Sequence, residues 1–150
     1  MLPIIKKELI LFDLEAADKE AVLQQMTEKI DQGGYLLDLD VYYQDVAARE
    51  AVFSTFIGYD IGLPHGKSDG VREAGICVAR LKNSVVWNAE TGDEVKLVIM
   101  IAVKNQEGNN LHLQILSKLS RMLMHEEFRH ILLKEGTDLV FDTLVETLEV

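Results

Sequence analysis

The sequence predicts an α/β fold: a single layered helix/sheet/helix domain with a mixed sheet of about five strands. Three observations predict it. The runs Gly75–Leu81 and Val95–Val103 are nearly continuous apolar stretches, the pattern of strands covered on both faces. Long stretches with helical spacing of apolar residues lie before and after them. A chain of 150 residues, 48% apolar, suits one domain spanning 1–150 and buries roughly 70% of the surface its unfolded form exposes.

The elements follow in order. Glu8–Phe12 is a short apolar run and reads as the first strand. Lys19–Gln32 reads as a helix, with Asp18 as N-cap, Gly33 as the residue that stops it, and Val22, Met26 and Ile30 as its buried stripe. A second helix fits roughly Val41–Ala51, with Asp38 or Asp40 as cap, ending near Arg49 and Glu50. In Ser54–Gly66 three glycines and a proline fall within nine residues. They forbid a helix and imply short extended pieces joined by tight turns. Leu63, preceding Pro64, is driven to extended geometry. Three strands are expected next, Gly75–Leu81, Ser84–Trp87 and Val95–Val103, with a polar turn at Asn88–Glu94. The last third reads as helices: Leu111–Met124 capped by Asn109 or Asn110, Glu126–Lys134 stopping at Gly136, and Asp138–Leu148 after Thr137 as N-cap.

Charge and composition remove several function classes. Fifteen Lys and Arg face 25 Asp and Glu, a net charge of −10 with no basic run, so neither nucleic acid nor an anionic membrane is an expected partner. The longest apolar run, Val95–Val103, is broken by Lys96 and falls far short of the roughly 20 residues of a spanning helix. The first residues, MLPIIKKELILFDLE, lack the pattern of a signal peptide, and a cytoplasmic protein is expected. A single cysteine, Cys77, rules out an internal disulfide and any CxxC motif; its place in the apolar run GICVARL makes it a small core side chain.

The chemistry has to come from the four histidines, His65, His112, His125 and His130. Their spacing contains no HxH or HExxH, so a zinc site has no support, and no metal or other cofactor is expected. No GxSxG elbow, P-loop or GxGxxG occurs, which removes serine-hydrolase and nucleotide-binding readings. His125 and His130 flank a helix start in the polar stretch HEEFRH and read as solvent-side. His65 differs in its neighbours. Pro64 fixes the backbone before it, and Gly66 permits unusual geometry after it, so a rigid turn presents the imidazole beside open backbone N–H groups. Alone, Pro-His-Gly is compatible with an ordinary turn. His112 shares a helical face with Leu116, Leu119 and Leu123, so it faces inward at the anion-favouring end of its helix.

The segment AREAVFSTFIGYDIGLPHGKSDGV, Ala48–Val71, resembles the phosphorylation-site region of the mannitol/fructose-type (type-2) EIIA domains of the bacterial sugar phosphotransferase system (PTS). There an arginine-glutamate pair ends a helix, a Ser-Thr follows, and an Ile/Leu-Pro-His-Gly turn carries the phosphorylated histidine. The likeness continues through ARLKNSVVWNAETGDEVKLVIMIAV, HLQILSKLSRML and EEFRHIL, almost the whole chain. There are departures. Mannitol-type members have a glutamate before the extended segment leading to the Pro-His turn, where Tyr59 and Asp60 stand here. Fructose-type members typically read GNGIAIPHGR where this chain reads GYDIGLPHGK, so no particular sugar is carried over.

The resemblance implies that His65 is the phosphoryl-accepting nucleophile and that Arg49 and His112 match the family's supporting arginine and second histidine. A neutral imidazole is a competent nucleophile at neutral pH. Phosphoryl transfer asks chiefly for in-line placement and charge stabilisation. Arg49 can supply a planar fork, and the N–H groups near Gly66 with Ser54 or Thr55 can supply neutral donors. The implied donor is the phosphohistidine carrier HPr, and the implied acceptor is a cysteine of an EIIB domain. Cys77, expected in a strand, does not suit that role, so the EIIB partner is expected as a separate chain. Sugar uptake is the leading expectation. A regulatory, nitrogen-type protein, whose phosphorylation state controls protein partners, is the alternative.

Overall fold

The computed structural model describes residues 2–106 and 110–148. Six strands, β1 (Ile10–Leu14), β2 (Phe56–Gly58), β3 (Ile61–Gly62), β4 (His65–Ser68), β5 (Gly75–Asn88) and β6 (Asp93–Lys104), form one mixed sheet. Five helices cover it: α1 (Lys19–Gln32), α2 (Leu39–Val52), α3 (Leu111–Met122), α4 (Glu126–Lys134) and α5 (Thr137–Leu148). The sheet order is β1-β5-β6-β3-β2, and β4 also pairs with β6. Ile101 of β6 pairs with Ile76 of β5 on one side and with His65 of β4 on the other. Thus β3 and β4 run in succession along one edge of β6, parallel to it and interrupted by Leu63–Pro64.

Strand alternation divides the core into two layers. Cys77, Ala79, Val98, Met100 and Ala102 face α1 and α2, meeting Val22, Met26, Ile30, Tyr42 and Val46. Ile76, Val78, Leu97, Ile99, Ile101 and Val103 face α3, α4 and α5, meeting Ile115, Leu119, Phe128, Leu132, Val140 and Leu144. The central strands are therefore buried on both sides, as their unbroken apolar runs require.

Local signals hold where they are short-range. Asp18 accepts the N–H of Ala21 at 2.8 Å and Asp38 that of Val41 at 3.1 Å, so both cap their helices. Elsewhere the structure corrects the expectation. Lys7–Leu9 is a 3₁₀ turn and the first strand starts at Ile10, with Leu9 and Ile10 entering opposite core layers. Gly33 stays right-handed (φ −73°), and Gly34 (φ 90°) makes the left-handed exit. The second helix extends from Leu39 to Val52. Ser84–Trp87 is no separate strand: β5 runs on through an irregular register because its hairpin with β6 continues, Val85 opposite Val95. The third helix ends at Met122, and Asn110 at its start (φ 52°) makes no side-chain cap bond; Asn109 lies outside the described residues. Thr137 is the first residue of α5, and the carbonyl of Gly136 takes the N–H of Val140 in the cap's place.

Candidate functional site

His65 opens β4; it does not sit in a turn. Two pieces of backbone put it there. Leu63, extended because Pro64 follows, donates its N–H to the carbonyl of Thr55 at 3.1 Å, and Ile101 donates its N–H to Pro64 at 3.0 Å. A Cβ on Gly66 would lie 3.4 Å from Tyr42 and from the backbone of Val46, so Gly66 sits directly against α2. Alternation then turns His65 and Lys67 to the other side, towards α3. The buried Tyr42 hydroxyl fixes α2 to this line by donating to the carbonyl of Ile101 at 2.9 Å.

The imidazole is half-buried, with Nδ1 2.9 Å from the carbonyl of Leu63. A carbonyl only accepts, so Nδ1 carries the proton and Nε2 keeps its lone pair. Burial lowers the pKa of His65 most, and nearby Arg49 lowers it further. The Leu63 bond and Glu50 oppose this without cancelling it. The ring is neutral at pH 7. His112, in the first turn of α3, also has a lowered pKa, caused by burial, then by Lys67, then by His65. His112 thus lies near enough to His65 and Lys67 to feel their charge.

Arg49, in the last turn of α2, donates from Nη1 to the carbonyl of Phe53 at 2.9 Å. Its neighbour Glu50 points inward and pairs at 2.7 Å with Lys19, not with Arg49. Glu50 also takes the N–H of Thr55 at 3.0 Å and its hydroxyl at 2.7 Å. Trp87 donates its indole N–H to the same Thr55 oxygen at 3.2 Å. This differs from the sequence expectation for Thr55: its hydroxyl proton is committed to Glu50 and is not a donor to a bound anion. Ser54, half-buried, accepts the N–H of Phe56 at 3.2 Å, a contact that does not use its own O–H.

Sequence reading missed Lys67, Glu50, Lys19 and Trp87. Signals for two of them were present. Lys67 follows His65 at the two-residue period of a strand, and Glu50 continues the four-residue stripe Tyr42, Val46, all three buried. Nothing local marked Lys19 or Trp87, which reach the site through tertiary packing. Next to the site, Tyr59 and Asp60 both have positive φ (55° and 62°) and form the two-residue turn between β2 and β3. Arg129 stacks on the Tyr59 ring at 3.7 Å. His125 and His130 are exposed, as expected. Cys77 is fully buried, and burial pushes its thiol up to about 12. Among the described residues no group of three or more His, Cys, Asp or Glu is placed to hold a metal ion, and no helix is long and apolar enough to cross a membrane.

Comparison with known proteins gives one consistent answer. The model of a family described as phosphoenolpyruvate-dependent sugar phosphotransferase system, EIIA 2, matches residues 3–146. The fructose-specific EIIA component of Haloferax volcanii is 36% identical over 143 residues, 95% of this chain and 92% of that protein. Multiphosphoryl transfer protein 2 of Escherichia coli is 34% identical over 148 residues, 98% of this chain but 17% of that protein. The chain thus spans about a fifth of the length of the first curated relatives it matches. Among solved structures, the nitrogen regulatory protein IIA-Ntr of Neisseria meningitidis superposes with a TM-score of 0.84 at 25% identity, covering 94% of this chain and 96% of that one. The E. coli mannitol enzyme IIA, solved in complex with phosphorylated enzyme IIB, gives 0.80 at 28% identity, covering 95% and 99%. The chain belongs to the EIIA 2 family of the sugar phosphotransferase system, a family of phosphocarrier components.

Proposed function

We propose that this chain accepts a phosphoryl group from phospho-HPr on Nε2 of His65 and passes it to a cysteine of an EIIB component during sugar uptake. The observation that carries the reading is the Nδ1–H bond from His65 to the Leu63 carbonyl, which leaves Nε2 as the nucleophilic nitrogen of a neutral ring. In the first step the His65 Nε2–P bond forms as the donor's N–P bond breaks. In the second, the acceptor thiolate forms an S–P bond as the Nε2–P bond breaks, and His65 returns to its neutral form. The equatorial oxygens gain stabilisation from the Arg49 fork, Lys67, Ser54, His112 and the strand N–H groups. Thr55 supports the site from behind. Cys77 is inaccessible, so the accepting cysteine lies outside these 150 residues.

A regulatory role is the second reading, favoured by the 0.84 TM-score to a nitrogen regulatory protein. In that reading the same phosphohistidine forms but no EIIB is served. Incubation with phosphoenolpyruvate, enzyme I and HPr should add one acid-labile, base-stable phosphoryl group. His65→Ala should remove it while leaving the circular dichroism unchanged. Full labelling of that variant overturns the site. Onward transfer to fructose- or mannitol-type EIIB domains separates the two readings.

A further inference from the structure

Glu50 is 6% exposed, yet its carboxylate is ringed by donors: Lys19 Nζ at 2.7 Å, Thr55 N–H at 3.0 Å and Thr55 Oγ1–H at 2.7 Å. Lys19 is itself held, donating to the Trp87 carbonyl at 2.8 Å with its Nζ 4.9 Å from the indole centroid. A buried ion pair is a poor source of stability, since desolvation offsets most of the attraction. What this one does is geometric. Both polar hydrogens of Thr55 end on a single carboxylate, and Trp87 donates to the hydroxyl from another side, so Thr55 has one position.

The grip leads to the reacting ring. The Thr55 carbonyl takes the N–H of Leu63 at 3.1 Å, and the Leu63 carbonyl takes Nδ1–H of His65 at 2.9 Å. Pro64 stiffens the link between Leu63 and His65. We infer that Glu50 is a positioning residue: by clamping Thr55 it fixes the Leu63 carbonyl that holds His65 in its Nδ1–H tautomer with Nε2 aimed outward. The same clamp sets the non-helical step Phe53–Ser54, whose Phe53 carbonyl seats Arg49. One buried acid thus places both the nucleophile and the arginine beside it without touching the phosphoryl group. The kinetic consequence rests on the phosphocarrier reading; the effect on the ring does not.

The test therefore has two readouts on the intact chain. Long-range ¹⁵N–¹H spectra of the His65 imidazole at pH 7.5 report its tautomer without any donor protein. The rate of labelling by phospho-HPr reports the reaction. Wild type should show the Nδ1–H form alone. Glu50→Gln and Thr55→Val should each show mixed tautomers and label at least tenfold more slowly, while Thr55→Ser, which keeps the hydroxyl, should restore the single tautomer and most of the rate. If Glu50→Gln does not fold, the near-isosteric Thr55→Val and Thr55→Ser pair carries the comparison. A pure Nδ1–H ring in folded Thr55→Val overturns the clamp. Mixed tautomers with an unchanged labelling rate overturn its role in the reaction. A wild type that fails to label counts against the phosphocarrier reading alone, and the ring spectra then decide the clamp.

Discussion

Two neighbouring charges at the end of α2 face opposite ways, and their separation decides what each can do. Glu50 is turned into the core, whereas Arg49 remains half-buried at the surface of the site with one arm on the Phe53 carbonyl. Were Arg49 an ordinary exposed charge, removing it would cost at most about 1 kcal/mol of stability and nothing in transfer. As the fork that meets phosphoryl oxygens, it should matter in shape as well as charge. Arg49→Gln should then slow transfer to EIIB roughly a hundredfold, about 2.7 kcal/mol of transition-state stabilisation. Arg49→Lys should recover only part of that, because a point charge cannot make two parallel bonds. Both variants should melt close to wild type. Rapid-quench transfer at wild-type speed in Arg49→Gln would remove the residue from the mechanism. The pair His65 and His112 belongs to the same scale: on the proposed reading His65 is the acceptor and His112 lies near it, so His112→Ala should still take up phosphate, with onward transfer slowed.

Among the elements, the short strand β3 packs closely against Trp87 at Gly62. A Cβ on Gly62 would sit 2.8 Å from Trp87 Cε2 and 2.9 Å from its Nε1, contacts that force the indole or the strand to move. Gly62→Ala should cost about 1–3 kcal/mol in a urea titration, the usual range for overpacking. Trp87 is the only tryptophan, so its fluorescence reports the displacement directly. An unshifted emission maximum with an unchanged midpoint would mean the sheet absorbs the methyl freely. This close fit also marks the limit of what the sequence made legible. Asp18, Asp38 and the bounds of α1 were readable because a cap and its helix are local. His65, Arg49 and His112 were named as candidates through the family resemblance, and the structure sets them at the head of β4, in the last turn of α2 and in the first turn of α3. The division of β3 from β4, the continuity of β5 and the start of β1 depend on ladders between distant strands, and a polar stretch such as Lys82–Ser84 looks like an end until its partner is known. Lys19 and Trp87 carried no local mark at all, since each reaches Glu50 and Thr55 only after the sheet and α1 have packed.

For the molecule as a whole, net charge and local charge run in opposite senses. The chain carries −10 overall, yet Arg49 lies near His65 and Lys67 near His112, and on the proposed reading this local positive charge would let the site receive a dianion that the rest of the surface would repel. That arrangement ties stability to pH. His65 comes from the sheet and His112 from α3, and packing those two layers together withdraws both rings from water and lowers both pKa values. The unfolded chain then binds more protons than the folded one just below the ordinary histidine value of about 6.5. Stability from these groups is therefore fully present above that value and is lost as pH falls towards the lowered folded values. The histidine share is isolated by comparison. Urea midpoints at pH 7.5 and 5.5 should draw apart in the wild type and draw apart less in the double variant His65→Gln, His112→Gln. His65→Gln alone should account for most of the difference, because His65 is the more deeply buried ring. Equal pH dependence in all three proteins would show that both imidazoles remain as well hydrated after folding as before, and the neutral nucleophile would then need another source.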